Sequence, residues 1–79
     1  MIREAVQEDT LAHLIEQGVA REFLVRRGPG GEGWTLAVRL SSKWLPIRSR
    51  REPLRVWASL TAIGNYAQKM GIKGFSVEL

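Results

Sequence analysis

Arg48, Arg50, Arg51 and Arg55 lie close before Trp57 in the stretch RSRREPLRVW, and Trp44 and Arg39 precede them. A guanidinium donates paired hydrogen bonds to phosphate oxygens, and an indole offers a face on which unpaired bases stack. Arginines interleaved with tryptophans therefore point to a polyanion, single-stranded nucleic acid in particular. If Leu45, Ile47, Leu54 and Val56 face a core, strand alternation turns Trp44, Arg48, Arg55 and Trp57 to the opposite face. Arg39 joins them if Trp34 and Leu36 point inward. Arg39, Trp44, Arg48, Arg50, Arg51, Arg55 and Trp57 are thus the candidate nucleic-acid-binding residues. The same set has a plainer use. Water-facing strands carry charge that blocks edge-to-edge aggregation, and tryptophans fill cores or dimer interfaces.

The remaining residue types offer little for catalysis. Cysteine is absent and His13 is the single histidine, which removes disulfides, thiolate zinc sites and histidine-rich metal sites. A nucleophilic triad needs a base beside its serine, and His13 falls instead on an acidic helical stretch. The run GPGGEG, residues 28–33, has the glycines of a phosphate loop. It lies between two predicted strands, however, and lacks the lysine-serine pair and the following helix that such loops use. A hairpin connection is the better reading. No enzyme, cofactor or metal is expected.

Charge is unevenly spread along the chain. Residues 1–22 hold Arg3 and Arg21 against Glu4, Glu8, Asp9, Glu16 and Glu22, a net of −3. Residues 23–57 hold Arg26, Arg27, Arg39, Lys43, Arg48, Arg50, Arg51 and Arg55 against Glu32 and Glu52, a net of +6. The molecule is polarised if these segments separate in space, and its basic middle then seeks an anionic partner. At 79 residues it forms one domain, 1–79, whose folding buries roughly 60–65% of the unfolded surface. Small domains of this kind rely on close packing or on a partner subunit. No signal peptide and no apolar run of membrane-spanning length is evident, so a cytoplasmic location without a membrane partner is expected.

The elements that must position these residues can be read from periodicity. Residues 3–17 carry Ala5, Val6, Leu11, Leu14 and Ile15 near helical spacing, with Gly18 placed to end the helix; a shorter helix capped by Asp9 or Thr10 is the alternative. AREFLVRR and GWTLAVRL flank the glycine loop as a hairpin. KWLPIRSRREPLRVW reads as a second hairpin with its tip at Arg50 to Glu52, although Pro46 and Pro53 lack donors and fit edges best. Ser59 caps a helix over 59–70, in which Gly64 suggests a close approach, and Gly71 ends it. GFSVEL is a last strand, parallel to its neighbour. The expected fold is α+β, a mainly antiparallel sheet in the order α-β-β-β-β-α-β with both helices on one face.

The segment EPLRVWASLTAIGNYAQKMGIKGFSVEL resembles the C-terminal part of small ParC-family partition-associated proteins of plasmids and integrative elements. The matching residues are Arg55, Trp57, Ser59, Leu60, Ala67, Gly71, Ile72, Phe75, Val77 and Glu78, while Gly64-Asn65 departs from the pattern. The resemblance implies an accessory of plasmid maintenance acting with DNA or with other partition proteins, and it carries over no contact residue. The expectation is a small basic module that binds DNA or a DNA-bound protein. The alternative is a protein-interaction or homodimerisation module that touches no nucleic acid.

Overall fold

A computed structural model of the chain describes residues 5–79. Its elements are β1 (Val6–Gln7), α1 (Glu8–Glu16), β2 (Phe23–Arg27), β3 (Trp34–Leu40), β4 (Lys43–Arg48), α2 (Leu60–Met70) and β5 (Ser76–Val77). The architecture is α+β, with two helices and one five-stranded sheet in the order β1-β4-β3-β2-β5. Strand β3 is antiparallel to β2 and β4, whereas β1 pairs with β4 and β5 with β2 in parallel. The sheet is therefore mixed: its two long pairings are antiparallel, and its two short edge pairings are parallel. Four strands run one way and β3 alone runs back.

The first helix is shorter than the predicted span of 3–17. Its start at residue 3 lies outside the described residues, and within them Val6 and Gln7 are extended and pair with Ile47 and Arg48. Glu8 and Asp9 occupy the first helical turn, where carboxylates oppose the positive end of the helix dipole. Leu11 is fully buried, with Leu14 and Ile15 packed against the core. As expected, Gly18 ends the helix in the left-handed region (φ 74°), which directs the N–H groups of Val19 and Ala20 back to the Leu14 carbonyl.

The first hairpin forms as predicted, with Phe23 opposite Val38 and Arg27 opposite Trp34. Its glycine loop is organised by one turn of 3-10 helix over Pro29–Gly31, closed by Gly28 N–H to the Gly33 carbonyl at 3.0 Å. Gly33 has φ 65°, and a Cβ there would sit 2.8 Å from the Trp57 carbonyl oxygen. Only glycine fits.

The second hairpin does not form. A two-residue turn at Ser41 and Ser42 joins β3 directly to β4, setting Leu40 opposite Lys43. On its other side β4 meets β1, so no place remains for a return strand. Residues 49–57 instead make a tight turn. The Ser49 hydroxyl accepts from Glu52 N–H at 3.0 Å, and Ser49 N–H donates to the Glu52 carbonyl at 3.1 Å. The chain then crosses the sheet end, touches Ile47 through Arg55 N–H, and reaches β3 as an isolated Trp34–Trp57 bridge. The expected phase is reversed along this segment: Trp57 is buried and Val56 is exposed.

Helix α2 follows prediction in its ends. Ser59 caps it by accepting from Ala62 N–H at 3.1 Å, and Gly71 closes it at φ 84°. Ile63 and Ala67 are its buried residues. They join Leu11, Val25, Leu36, Val38, Ile47 and Trp57 in a single core cluster. Gly64 meets nothing within 4 Å, so close packing does not explain it.

Candidate nucleic-acid interface

Strand register fixes what the second sheet face carries. Alternation turns Leu24, Ala37, Pro46 and Ser76 to that face in one row, because Leu24 pairs with both Ala37 and Ser76, and Ala37 with Pro46. A second row holds Glu22, Arg39 and Trp44. A third holds Glu78, Arg26, Thr35, Arg48 and Gln7. An apolar row thus runs across the strands between two polar ones. Ala37 is buried within it, and Leu24 and Pro46 are half-buried.

The seven candidate residues do not gather on this face. Arg39 and Trp44 stand at the end where β2 and β4 begin, on neighbouring strands. Arg48, Arg50, Arg51, Arg55 and Trp57 stand at the opposite end, where β4 finishes. Of all seven, only Arg39, Trp44 and Arg48 share the open face. Trp57 is 6% exposed and faces the core, so it cannot offer a stacking surface. The expectation that it faces outward failed because residues 54–57 are not a strand of the sheet.

Most of the arginines already have partners. Arg39 Nη1 lies 3.2 Å from Glu22 Oε2, Arg26 Nε lies 3.3 Å from Glu78 Oε1, and Arg50 Nη2 lies 3.0 Å from Asp9 Oδ2. These pairs are exposed and hold little energy, yet they cancel charge where phosphate would bind. Arg55 is bound more firmly. Its guanidinium pairs with Glu8 and lies 4.7 Å from the Trp57 ring centre and 4.8 Å from that of Tyr66. The Trp57 and Tyr66 rings are themselves 4.9 Å apart. Arg55 therefore ties α1, the 49–57 segment and α2 together. Burial raises the Tyr66 pKa above the ordinary phenol value; the Arg55 charge opposes this and Asp9 adds to it. Arg51 has no ion-pair partner among the described residues, and Arg48 bonds the Ser49 carbonyl.

The charge balance of the two sheet ends reverses the expectation from sequence. Where β2 and β4 finish, Arg26, Arg27, Arg48, Arg50, Arg51 and Arg55 meet Glu8, Asp9, Glu32, Glu52 and Glu78. Where those strands begin, the charged residues among those described are Arg21, Arg39, Lys43, Lys69 and Lys73 with Glu16 and Glu22. The positive excess of the described residues lies there. The chain matches no protein-family model, curated protein or solved structure.

Four of these cations, Arg21, Lys43, Lys69 and Lys73, were not singled out from sequence because each is isolated along it. Each helix connects two parallel strands, so the C-terminal ends of both α1 and α2 return to this end of the sheet. Arg21 follows the first helix end and Lys73 the second. Together they border a groove of ≈270 Å³ lined also by Ile15, Ala20, Phe23 and Ile72. Arg21 Nε donates to the Gly18 carbonyl at 2.8 Å, which ties the side chain to the end of α1. Cations at helix C-termini also favour the helix dipoles. A lone cation two or three residues past a helix-ending glycine was the available signal. Among the described residues no helix is long and apolar enough to cross a membrane, and no three His, Asp or Glu residues cluster as metal ligands.

Proposed function

We propose that the chain is a small, non-enzymatic nucleic-acid-associated module that contacts phosphate through the basic end of its sheet. The single observation that carries this reading is the local excess of cations over acids at that end among the described residues, where Arg21, Arg39, Lys69 and Lys73 outnumber Glu16 and Glu22. The arginine-rich turn at 48–51, the first choice from sequence, has Arg50 paired with Asp9 and lies at the sheet end that holds more of the acids, and it takes a secondary place. Trp44, 37% exposed, borders the basic end and is the aromatic available for base stacking there.

The reading also places both helices over the core face. Each is a crossover that skips two strands in the same direction across the sheet, and right-handed crossovers of this kind put both on one side. The partition-associated resemblance supplies the setting, maintenance of a plasmid or mobile element in the cytoplasm, with DNA as the polyanion.

Fluorescence anisotropy with labelled single-stranded and duplex DNA tests the proposal. Binding at about 50 mM salt should weaken steeply with added salt, and Arg21→Ala/Lys73→Ala should reduce the log-log slope by about 1.4–1.8. Arg48→Ala/Arg51→Ala should leave the slope nearly unchanged. Absence of binding at low salt sinks the proposal. Loss of binding in the second variant rather than the first moves the interface back to the turn.

A further inference from the structure

The open sheet face is a separate surface with a pattern of its own. Two polar rows flank a middle row that is apolar over Leu24, Ala37 and Pro46 and ends in Ser76 at the edge. The face bears Arg26, Arg39 and Arg48 against Glu22 and Glu78, so it carries little of the molecule's positive excess. An apolar centre with a polar rim of both signs is the anatomy of a protein contact, and it suits a polyanion poorly.

From this pattern we infer that the face is an interface with a second copy of the same chain, two sheets stacked about a two-fold axis along the Leu24–Ala37–Pro46 row. The register selects this axis. Rotation about a line across the strands lays the first polar row of one copy over the third polar row of the other. Glu22 then opposes Arg26 of the second copy, because both lie on β2. Arg39 opposes Thr35, both on β3, and Trp44 opposes Arg48, both on β4. One contact joins opposite charges, and another sets a cation over an indole face. The apolar row packs on its own copy along the axis. A two-fold axis along the strands instead sets Arg39 against Arg39 and repels. Face-to-face sheets stack about 10 Å apart at a modest angle, a distance these side chains span.

The inference shares Arg39 and Trp44 with the proposed nucleic-acid surface, but Arg21 and Lys73, whose variants test that surface, belong to none of the three rows, so the two readings fail separately. Sedimentation velocity of the full chain between about 5 and 500 µM should show a monomer–dimer equilibrium. Glu22→Arg and Arg26→Glu should each weaken association at least about ten-fold, as like charges then meet across the axis. The double reversal should restore it to within about three-fold. The strain it adds against Arg39 and Glu78 inside each chain is shared by monomer and dimer and drops out of the equilibrium. Circular dichroism confirms the fold of each variant, and Leu24→Glu should abolish the dimer. Should Leu24→Glu fail to fold, the rim reversals decide alone. A monomer at every concentration overturns the inference. So does a double reversal as weak as the single ones.

Discussion

Replacing Arg55 with methionine should destabilise the domain far more than an ordinary surface change. Methionine keeps a long chain over the Trp57 and Tyr66 rings and removes only the charge. Two cation–π contacts at 4.7 and 4.8 Å are lost, together worth about 1–2 kcal/mol in a partly desolvated setting. The ion pair with Glu8 is lost as well. Its side chains are 32% and 25% exposed, between the surface case of at most about 1 kcal/mol and the buried case of about 3–5 kcal/mol. A further 1–2 kcal/mol, about, is a fair allowance for a carboxylate left half-buried without its partner. The expected loss is about 3 kcal/mol, a large share of what a domain this size possesses.

Urea unfolding followed by tryptophan emission measures it. With a slope near about 1 kcal/mol per molar urea, the midpoint should fall by about 3 M. Pairing the change with Glu8→Gln removes the stranded carboxylate, so the double variant should recover about 1 kcal/mol relative to Arg55→Met alone. A loss under about 0.5 kcal/mol, typical of exposed sites, refutes the clamp. A double variant worse than the single refutes the assignment of Glu8 as the partner.

Three further outcomes are expected. Gly64→Ala should stabilise the domain by about 0.5–1 kcal/mol, because the position is helical and a Cβ there meets nothing within 4 Å; thermal melting checks it. Gly33→Ala should cost at least about 2 kcal/mol in urea unfolding, since it combines φ 65° with a Cβ pressed on the Trp57 carbonyl. Tyr66 is the only tyrosine, and its phenolate absorbance should titrate above the ordinary value of about 10. Folded chains then hold a proton that unfolded ones release, so stability should fall as pH climbs past about 10. Arg55→Met should push the Tyr66 midpoint higher still.

What the sequence revealed depended on how local the determinants were. Gly18, Ser59 and Gly71 ended or began helices as read, since each acts through bonds to its near neighbours. The β2–β3 hairpin followed from alternation around a glycine loop, and the alternation of β4 set Leu45 and Ile47 inward. Residues 54–57 failed for the opposite reason. Leu54, Arg55, Val56 and Trp57 alternate like a strand, but β1 had already taken the open side of β4. Two residues of parallel pairing at Val6 and Gln7 decided this, and nothing local to either segment signals a partner 41 residues away. Gly64 was misread in another way: glycine inside a helix suggested contact, and the structure shows open space.

The charge argument shows the same limit at larger scale. Summed by segment, an acidic start and an arginine-rich middle imply two poles. The sheet order β1-β4-β3-β2-β5 interleaves those segments, and the fold sets acids of the first against arginines of the second. Glu8 meets Arg55, Asp9 meets Arg50 and Glu22 meets Arg39. Other cations, scattered along the chain near the two helix ends, are brought to one end of the sheet by the parallel crossovers. In a mixed sheet, electrostatic surface follows strand order rather than chain order. The most conspicuous charged stretch is therefore tied, at Arg50 and Arg55, to the carboxylates of α1.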